Sequence, residues 1–158
     1  MFTISPIAPA QRPAINALIA SEWAGPIIVS RGAAHDTSNA NGFMAMDGDT
    51  LVGYALYEIA QGQCELLVLQ SMVENTGVGT ALINAVIDVA RAAGCVRVWL
   101  ITTNDNLHAI RFYQRFGFEL DAVRIGAIAE SRKLKPSIPL TGCDDIPIKH
   151  EFEFGYAL

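Results

Sequence analysis

Apolar positions recur at helical spacing in three stretches and form strand-like runs between them. Ile15, Leu18, Ile19 and Trp23 mark a helix that begins near Pro13 and ends at Gly25-Pro26, after a first short strand over residues 1 to 5. Residues 27 to 41 show no clear period and read as a polar loop or a second helix. Three strands are expected next, about 42 to 47, 51 to 60 and 63 to 70. Asp47-Gly48-Asp49 and Gln61-Gly62 separate them as hairpin turns, which predicts an antiparallel meander.

A second helix then carries Val78, Leu82, Val86, Val89 and Ala93 at steps of four, four, three and four, and Gly94 is placed to stop it. Val96, Val98, Leu100 and Ile101 read as a buried strand. A third helix follows, capped within Asn104-Asp105-Asn106 and closed by Gly117. A strand, a crossover helix and another strand imply local parallel pairing beside the meander. Residues 118 to 128 and 148 to 157 are expected as final strands, joined by a loop over 129 to 147 long enough to be functional or disordered. The predicted fold class is therefore mixed α/β, a mostly antiparallel sheet with one parallel strand pair, flanked by helices. A single domain over residues 1–158 is the expectation from length.

Two segments carry candidate chemistry. In Val73-Glu74-Asn75-Thr76-Gly77-Val78-Gly79-Thr80-Ala81-Leu82, a strand passes to a helix through two glycines. The amides of Thr76, Gly77, Val78, Gly79 and Thr80 are then free at the positive end of a helix dipole, where an anion can approach backbone without meeting a Cβ. A turn that merely needs glycine accounts for the local sequence as well. The second segment is Asn106-Leu107-His108-Ala109-Ile110-Arg111-Phe112-Tyr113-Gln114-Arg115-Phe116-Gly117-Phe118. It places Asn106 and Tyr113 seven residues apart on one helix face, and a core tyrosine between Phe112 and Phe116 fits it too.

In this order and separation the two segments resemble the acyl-CoA core of the GNAT-type N-acetyltransferase superfamily. The first matches its Q/R-x-x-G-x-G/A element from the first glycine onward. The second matches its N-x-x-A-x-x-F/L-Y-x-x-x-G-F element, and the clear resemblance covers about residues 51 to 120. The resemblance implies the acyl-CoA N-acyltransferase fold, with the parallel pair at the cofactor cleft. It also implies acetyl-CoA as co-substrate and direct transfer of its acetyl group to a primary amine in a ternary complex. It casts the amides of Thr76 to Thr80 as the diphosphate cradle, Asn106 as a contact to the pantetheine arm, and the Leu69 amide as donor to the thioester carbonyl. Tyr113 becomes the acid that protonates the departing thiolate. Glu65, a carboxylate in an apolar strand, becomes the general base, with Glu58 as its rival, and a solvent-facing strand residue fits Glu65 nearly as well.

One residue departs from the pattern. Glu74 stands where the family has Gln or Arg, and a carboxylate ~6 Å from a phosphate charge costs roughly 3 kcal/mol if it points inward. Glu74 is therefore expected either to turn to solvent and cap the helix, or to weaken coenzyme binding.

Composition narrows the remaining classes. Net charge −5 argues against a nucleic-acid scaffold and suits an amine-bearing acceptor, whether small molecule or peptide. Apolar residues make up 51% and charged ones 17%, an excess compatible with a homodimer interface. Cys64, Cys95 and Cys143 are odd in number and two lie in apolar runs, which suits a reducing cytoplasm. No apolar run approaches the ~20 residues of a membrane span, and Met1 to Pro6 lacks a basic signal region. His35, His108 and His150 have no metal-ligand spacing with one another or with the cysteines, so no metal is expected. Ser30, Arg31 and His35, with Arg132, Lys133 and Lys135, fall in the two segments that would border an acceptor pocket, although solvated loop charge is the expected role of each taken alone. Arg111 and Arg115 would meet the coenzyme 3′-phosphate or face water. A noncatalytic acyl-CoA-binding or interaction module on the same fold is the competing reading. A dinucleotide-binding domain is disfavoured, because Leu82 stands where its third glycine would be.

Overall fold

A computed structural model describes residues 1–158. Seven strands form one sheet in the order β1-β4-β5-β6-β7-β9-β8. They are β1 (Thr3–Pro6), β4 (Asn41–Asp47), β5 (Thr50–Ala60), β6 (Gln63–Ser71), β7 (Arg97–Thr103), β8 (Glu119–Arg124) and β9 (Glu151–Ala157). β4, β5 and β6 are the expected meander. The β6·β7 pair is the parallel one, and every other pairing in the sheet is antiparallel.

Helices cover both faces. α2 (Val78–Ala92) buries Val78, Leu82, Ile83, Val86, Ile87 and Ala90 against β4, β5 and β6, in the larger core that also takes Leu66, Val98, Leu100 and Phe154. The apolar stripe thus drifts from the one read in the sequence. Ala93 is exposed, and the face continues through Ile87 and Ala90 as 3.6-residue periodicity requires. Gly94, at φ +75°, ends the helix in a Schellman arrangement, with Cys95 N–H on Ala90 O and Gly94 N–H on Arg91 O, both at 3.0 Å. α3 (Leu107–Phe116) lies on the same side. On the opposite face α1 (Arg12–Glu22) buries Ile15 and Ile19 in a second cluster with Met44, Tyr54, Leu56 and Val68.

Four regions depart from what the sequence predicts. Residues 27 to 41 contain a small separate hairpin, β2 (Ile27–Ser30) with β3 (Ala33–Asp36). Its two-residue turn places Arg31 at φ +52° and Gly32 at φ +77°, the double left-handed geometry of a tight hairpin. The expected strand over 118 to 128 stops at Arg124. Gly126, at φ +73°, turns the chain into α4 (Ala127–Leu134), which occupies the start of the expected loop and buries Ile128 and Ser131. The last strand starts at Glu151, not 148, because residues 140 to 150 are held as a loop by side chains: Asn104 Oδ1 accepts from Lys149 N and His150 N, each at 2.9 Å. Val96, expected in a buried strand, precedes β7 and is 67% exposed. No helix is long and apolar enough to cross a membrane.

Candidate active site

The parallel pair is short. β6 and β7 are in register only at Cys64↔Val98 and Glu65↔Trp99, after which β6 follows β5 and β7 follows β9, so the sheet opens between them. An irregularity in β6 begins this divergence. Leu56 faces Val68 and Tyr57 faces Leu66, leaving Leu67 as the extra residue of a bulge that bends the strand. Beyond the bulge the Met72 amide donates to Val52 O at 2.9 Å. Hydrogen-bonded and non-bonded pairs alternate in an antiparallel ladder, so Leu69 and Ser71 turn their amides away from β5 and toward the opening.

At the end of β6 the chain enters α2 through the two glycines. Ala81 N–H is the first to make a helical bond, to Gly77 O at 2.9 Å, and no side chain caps the helix. The amides of Thr76, Gly77, Val78, Gly79 and Thr80 make no turn or loop backbone bond and stand uncommitted at the dipole's positive end. Gly77 has φ +84° and nothing within 4 Å of where a Cβ would stand. At Gly79 a Cβ would lie 3.2 Å from the Phe112 ring of α3, so glycine there lets the two helices approach. Glu74 is exposed and does not cap α2, which corrects half of the expectation made for it and places its charge in high-dielectric solvent.

α3 starts with the cap the sequence proposes. Asn106 Oδ1 accepts from Ala109 N at 3.2 Å, so this amide oxygen is committed to the helix start. Tyr113 is 9% exposed, with its ring against Phe112, Phe118 and Phe154 at centroid distances of 5.5, 5.6 and 6.5 Å. Burial pushes its phenol well above the ordinary value, which keeps the group protonated. Tyr113 lines neither of two surface depressions. One borders the α2 start at Thr76 and Val78; the other is lined by Arg97, Glu119, Asp121 and Tyr156. Arg111, Arg115 and His108 are exposed.

Glu65 lies on the face opposite α2, because its neighbours Cys64 and Leu66 point into the α2 core. It is 7% exposed and accepts a hydrogen bond from Ser30 Oγ. His35 Nε2 lies 3.8 Å from Glu65 Oε2, while His35 Nδ1 lies 2.8 Å from Glu58 Oε2, Glu58 being the cross-strand partner of Glu65. Desolvation raises the Glu65 pKa, and Ser30's hydrogen bond and His35 oppose the rise. Glu58 is exposed. The fold thus gathers three groups whose spacing along the chain gave no sign of it: ligand-type atoms of His35, Glu58 and Glu65 lie within 4.8 Å of one another. Two strands of one hairpin and a separate small hairpin meet here, a non-local juxtaposition without a sequence signature.

The same face carries a charge cluster that the sequence reading missed. Glu153, 4% exposed, meets Arg97 at 2.8 Å, Arg124 at 2.5 Å and Arg31 at 3.6 Å. Burial alone would raise its pKa, but donation from Arg124 and Arg97 and the charge of Arg31 outweigh it and hold the carboxyl below its usual range. The Arg31 guanidinium also stacks 4.8 Å from the Trp99 ring centre. Alternation along β9, where Phe152 and Phe154 face the core, places Glu151 and Glu153 on the opposite face of the sheet but gives no sign of their burial there. Arg132 and Lys135 are not solvated charges as expected. Arg132 donates to Pro139 O and Ile148 O at 2.7 and 2.9 Å, and Lys135 Nζ donates to the carbonyls of Trp23 and Ile27. Lys133 does lie at the surface, paired with Glu130.

The chain resembles known proteins along most of its length. Residues 14–118 match the Acetyltransferase (GNAT) family. The uncharacterized protein YxbD of Bacillus subtilis is 34% identical over 151 residues, 95% of each chain. The uncharacterized protein YdhI of the same organism is 38% identical over 136 residues, 85% of each. The crystal structure of a GNAT family acetyltransferase from Elizabethkingia anophelis with acetyl-CoA bound shares the fold at 16% identity, with a TM-score of 0.71 over 99% of this chain and 98% of that one. Family match and long relatives agree with the opened parallel pair and the glycine-led helix: this chain belongs to the GNAT family of acetyltransferases.

Proposed function

We propose that the protein moves the acetyl group of acetyl-CoA to a primary amine by direct attack in a ternary complex. The observation that carries this reading is the alignment of uncommitted backbone donors along one side of the opening: the Leu69 amide in β6, then the amides from Thr76 to Thr80 at the start of α2. That series fits a carrier with a thioester at one end and a diphosphate further along. Each favourable charge–dipole contact at the helix start contributes roughly 0.3–1 kcal/mol. Glu74 is exposed, so solvent screens its charge.

In this reading Glu65 takes a proton from the acceptor ammonium, and its raised pKa brings a carboxylate toward the range in which that transfer is efficient. The amine attacks the thioester carbonyl, and the oxyanion that develops receives the Leu69 N–H. Collapse expels the thiolate, which Tyr113 protonates. Holding amine and thioester together makes an encounter of two molecules an oriented step. Asn106, through the α3 start that it caps, positions Tyr113 and borders the pantetheine arm. The acceptor reaches Glu65 beneath the β2–β3 hairpin, on the face that carries Glu58. One domain acting in the cytoplasm, without a metal and possible as a homodimer, completes the proposal.

The burial of Tyr113 favours a second reading, a module that binds acyl-CoA without turning it over. Free-thiol release from acetyl-CoA decides between them, measured across a monoamine, a diamine, an aminoglycoside, an amino-acid amide and a short peptide with a free N-terminus. The transferase reading expects amine-dependent release by the wild type, and about a 10²-fold lower kcat in Tyr113→Phe with unchanged acetyl-CoA affinity. Thiol release from no amine, with coenzyme still bound, would leave the binding module.

A further inference from the structure

A largely buried base must lose its proton before the next turnover, and Glu65 has little solvent of its own to lose it to. It is 7% exposed, and Ser30 Oγ occupies its Oε1. His35 lies beside Oε2, at 3.8 Å, about 0.8 Å beyond a strong hydrogen bond, and a carboxylate oxygen of Glu58 is within 4.8 Å of the Glu65 carboxylate. The other nitrogen of His35 is 2.8 Å from Glu58 Oε2, and the Glu58 side chain is 52% exposed. One imidazole therefore spans the gap between a buried and a solvated carboxylate, using each of its ring nitrogens once.

We propose that His35 is a proton relay that returns Glu65 to its carboxylate form by passing its proton to Glu58 and on to water. The proposal rests on the reading of Glu65 as the base. In the resting relay Nδ1–H donates to Glu58 and the Nε2 lone pair faces Glu65. After the acceptor nitrogen has given its proton to Glu65, the Glu65 O–H breaks as Nε2–H forms. Nδ1–H then breaks as a proton is accepted by Glu58 Oε2, and Glu58 releases it to solvent. The imidazole regains its first tautomer by exchange with water, which its 19% side-chain exposure allows. No oxidant, metal or further reactant takes part.

The charged groups that face Glu65 are His35 and Arg31 from the hairpin and Glu58 from β5. Arg31 is committed to Glu153 and to the Trp99 face, and it has no accessible second protonation state with which to carry a proton. Only His35 has one nitrogen toward each carboxylate. The β2–β3 hairpin thereby acquires a chemical reason for its docking, since Ser30 and His35 approach Glu65 from its two strands.

The test uses the full chain and the panel amine that it acetylates fastest. His35→Ala is expected to lower kcat roughly 10- to 100-fold at low buffer concentration while leaving acetyl-CoA affinity in place. Added imidazole should restore the rate in proportion to its concentration. Glu58→Gln, at an exposed position, should lower the rate about 10-fold or less and respond to buffer concentration in the same way. An unchanged rate in both variants, or a loss in His35→Ala that neither imidazole nor buffer relieves, would overturn the relay. Loss of wild-type turnover on adding EDTA would assign His35, Glu58 and Glu65 to a cation and overturn it as well. Absence of wild-type turnover with every amine removes the transferase reading and the relay together, whereas an active wild type with an unaffected His35→Ala removes the relay alone.

Discussion

Glu65 and Glu153 are both buried carboxylates on one face of the sheet, yet their surroundings drive them in opposite directions. Glu65 is raised by burial, so between the ordinary carboxylate range and its elevated pKa the folded state holds a proton that the unfolded chain has released. Its contribution to stability therefore falls as pH rises through that window. Glu65→Gln keeps the acceptor for Ser30 Oγ and removes the charge, so its Tm should exceed that of the wild type at pH 8, with the difference shrinking toward pH 4 in a thermal scan. Turnover should move the other way. The wild-type rate should climb with pH through the raised pKa, and the variant should lose that limb and about 10²-fold in kcat. A variant with lower Tm at pH 8, or with the wild-type pH profile, would contradict the assignment of a strained, functional carboxylate.

At the scale of elements, backbone geometry opens the site and small residues let the layers close around it. Gly53 of β5 lies under the first turn of α2, where a Cβ would be 2.6 Å from Val78 Cγ1 and 2.8 Å from Gln70 O. The second contact is backbone and cannot rotate away. Gly53→Ala is expected to cost about 1–3 kcal/mol, read as a Tm lower by roughly 2–4 °C per kcal/mol, and to weaken acetyl-CoA binding by displacing the α2 start. Much of this level was legible in the sequence, because its signals are local. The hairpin turns at Gly48 and Gly62, the Gly94 stop and the Asn106 cap are each a few residues of backbone chemistry. The β2–β3 turn was hidden because Arg31 occupies a left-handed position where Asn or Gly would have announced it. α4 was hidden because residues 118 to 128 alternate well enough to pass for a strand, and the break at Gly126 has no periodic signature.

Across the whole molecule, Glu153 ties the separate β2–β3 hairpin to the β7, β9 and β8 end of the main sheet. Arg31 comes from the hairpin turn, Arg97 from β7 and Arg124 from β8, and all three converge on this side chain of β9. Its carboxyl is held low despite burial, so the stability that it supplies is present above the ordinary carboxylate range and is lost as pH falls through its depressed value. Glu153→Ala removes the carboxylate shared by three partly exposed guanidinium groups and is expected to cost about 1–3 kcal/mol at pH 7 by denaturant titration, with a smaller deficit in acid. An equal deficit at both pH values would assign the loss to packing. None of this clustering could be read from the sequence, since its partners are separated by up to 122 positions between Arg31 and Glu153. The glycine loop and the Asn106–Tyr113 helix were readable because each is a continuous segment. In the proposed function these two segments and the opened β6·β7 pair grip one acyl-CoA. Calorimetric titration of acetyl-CoA into the protein tests it most directly. Saturable one-to-one binding in the micromolar range, about −8 kcal/mol, is the expected result, and no detectable heat or affinity at millimolar coenzyme would contradict it.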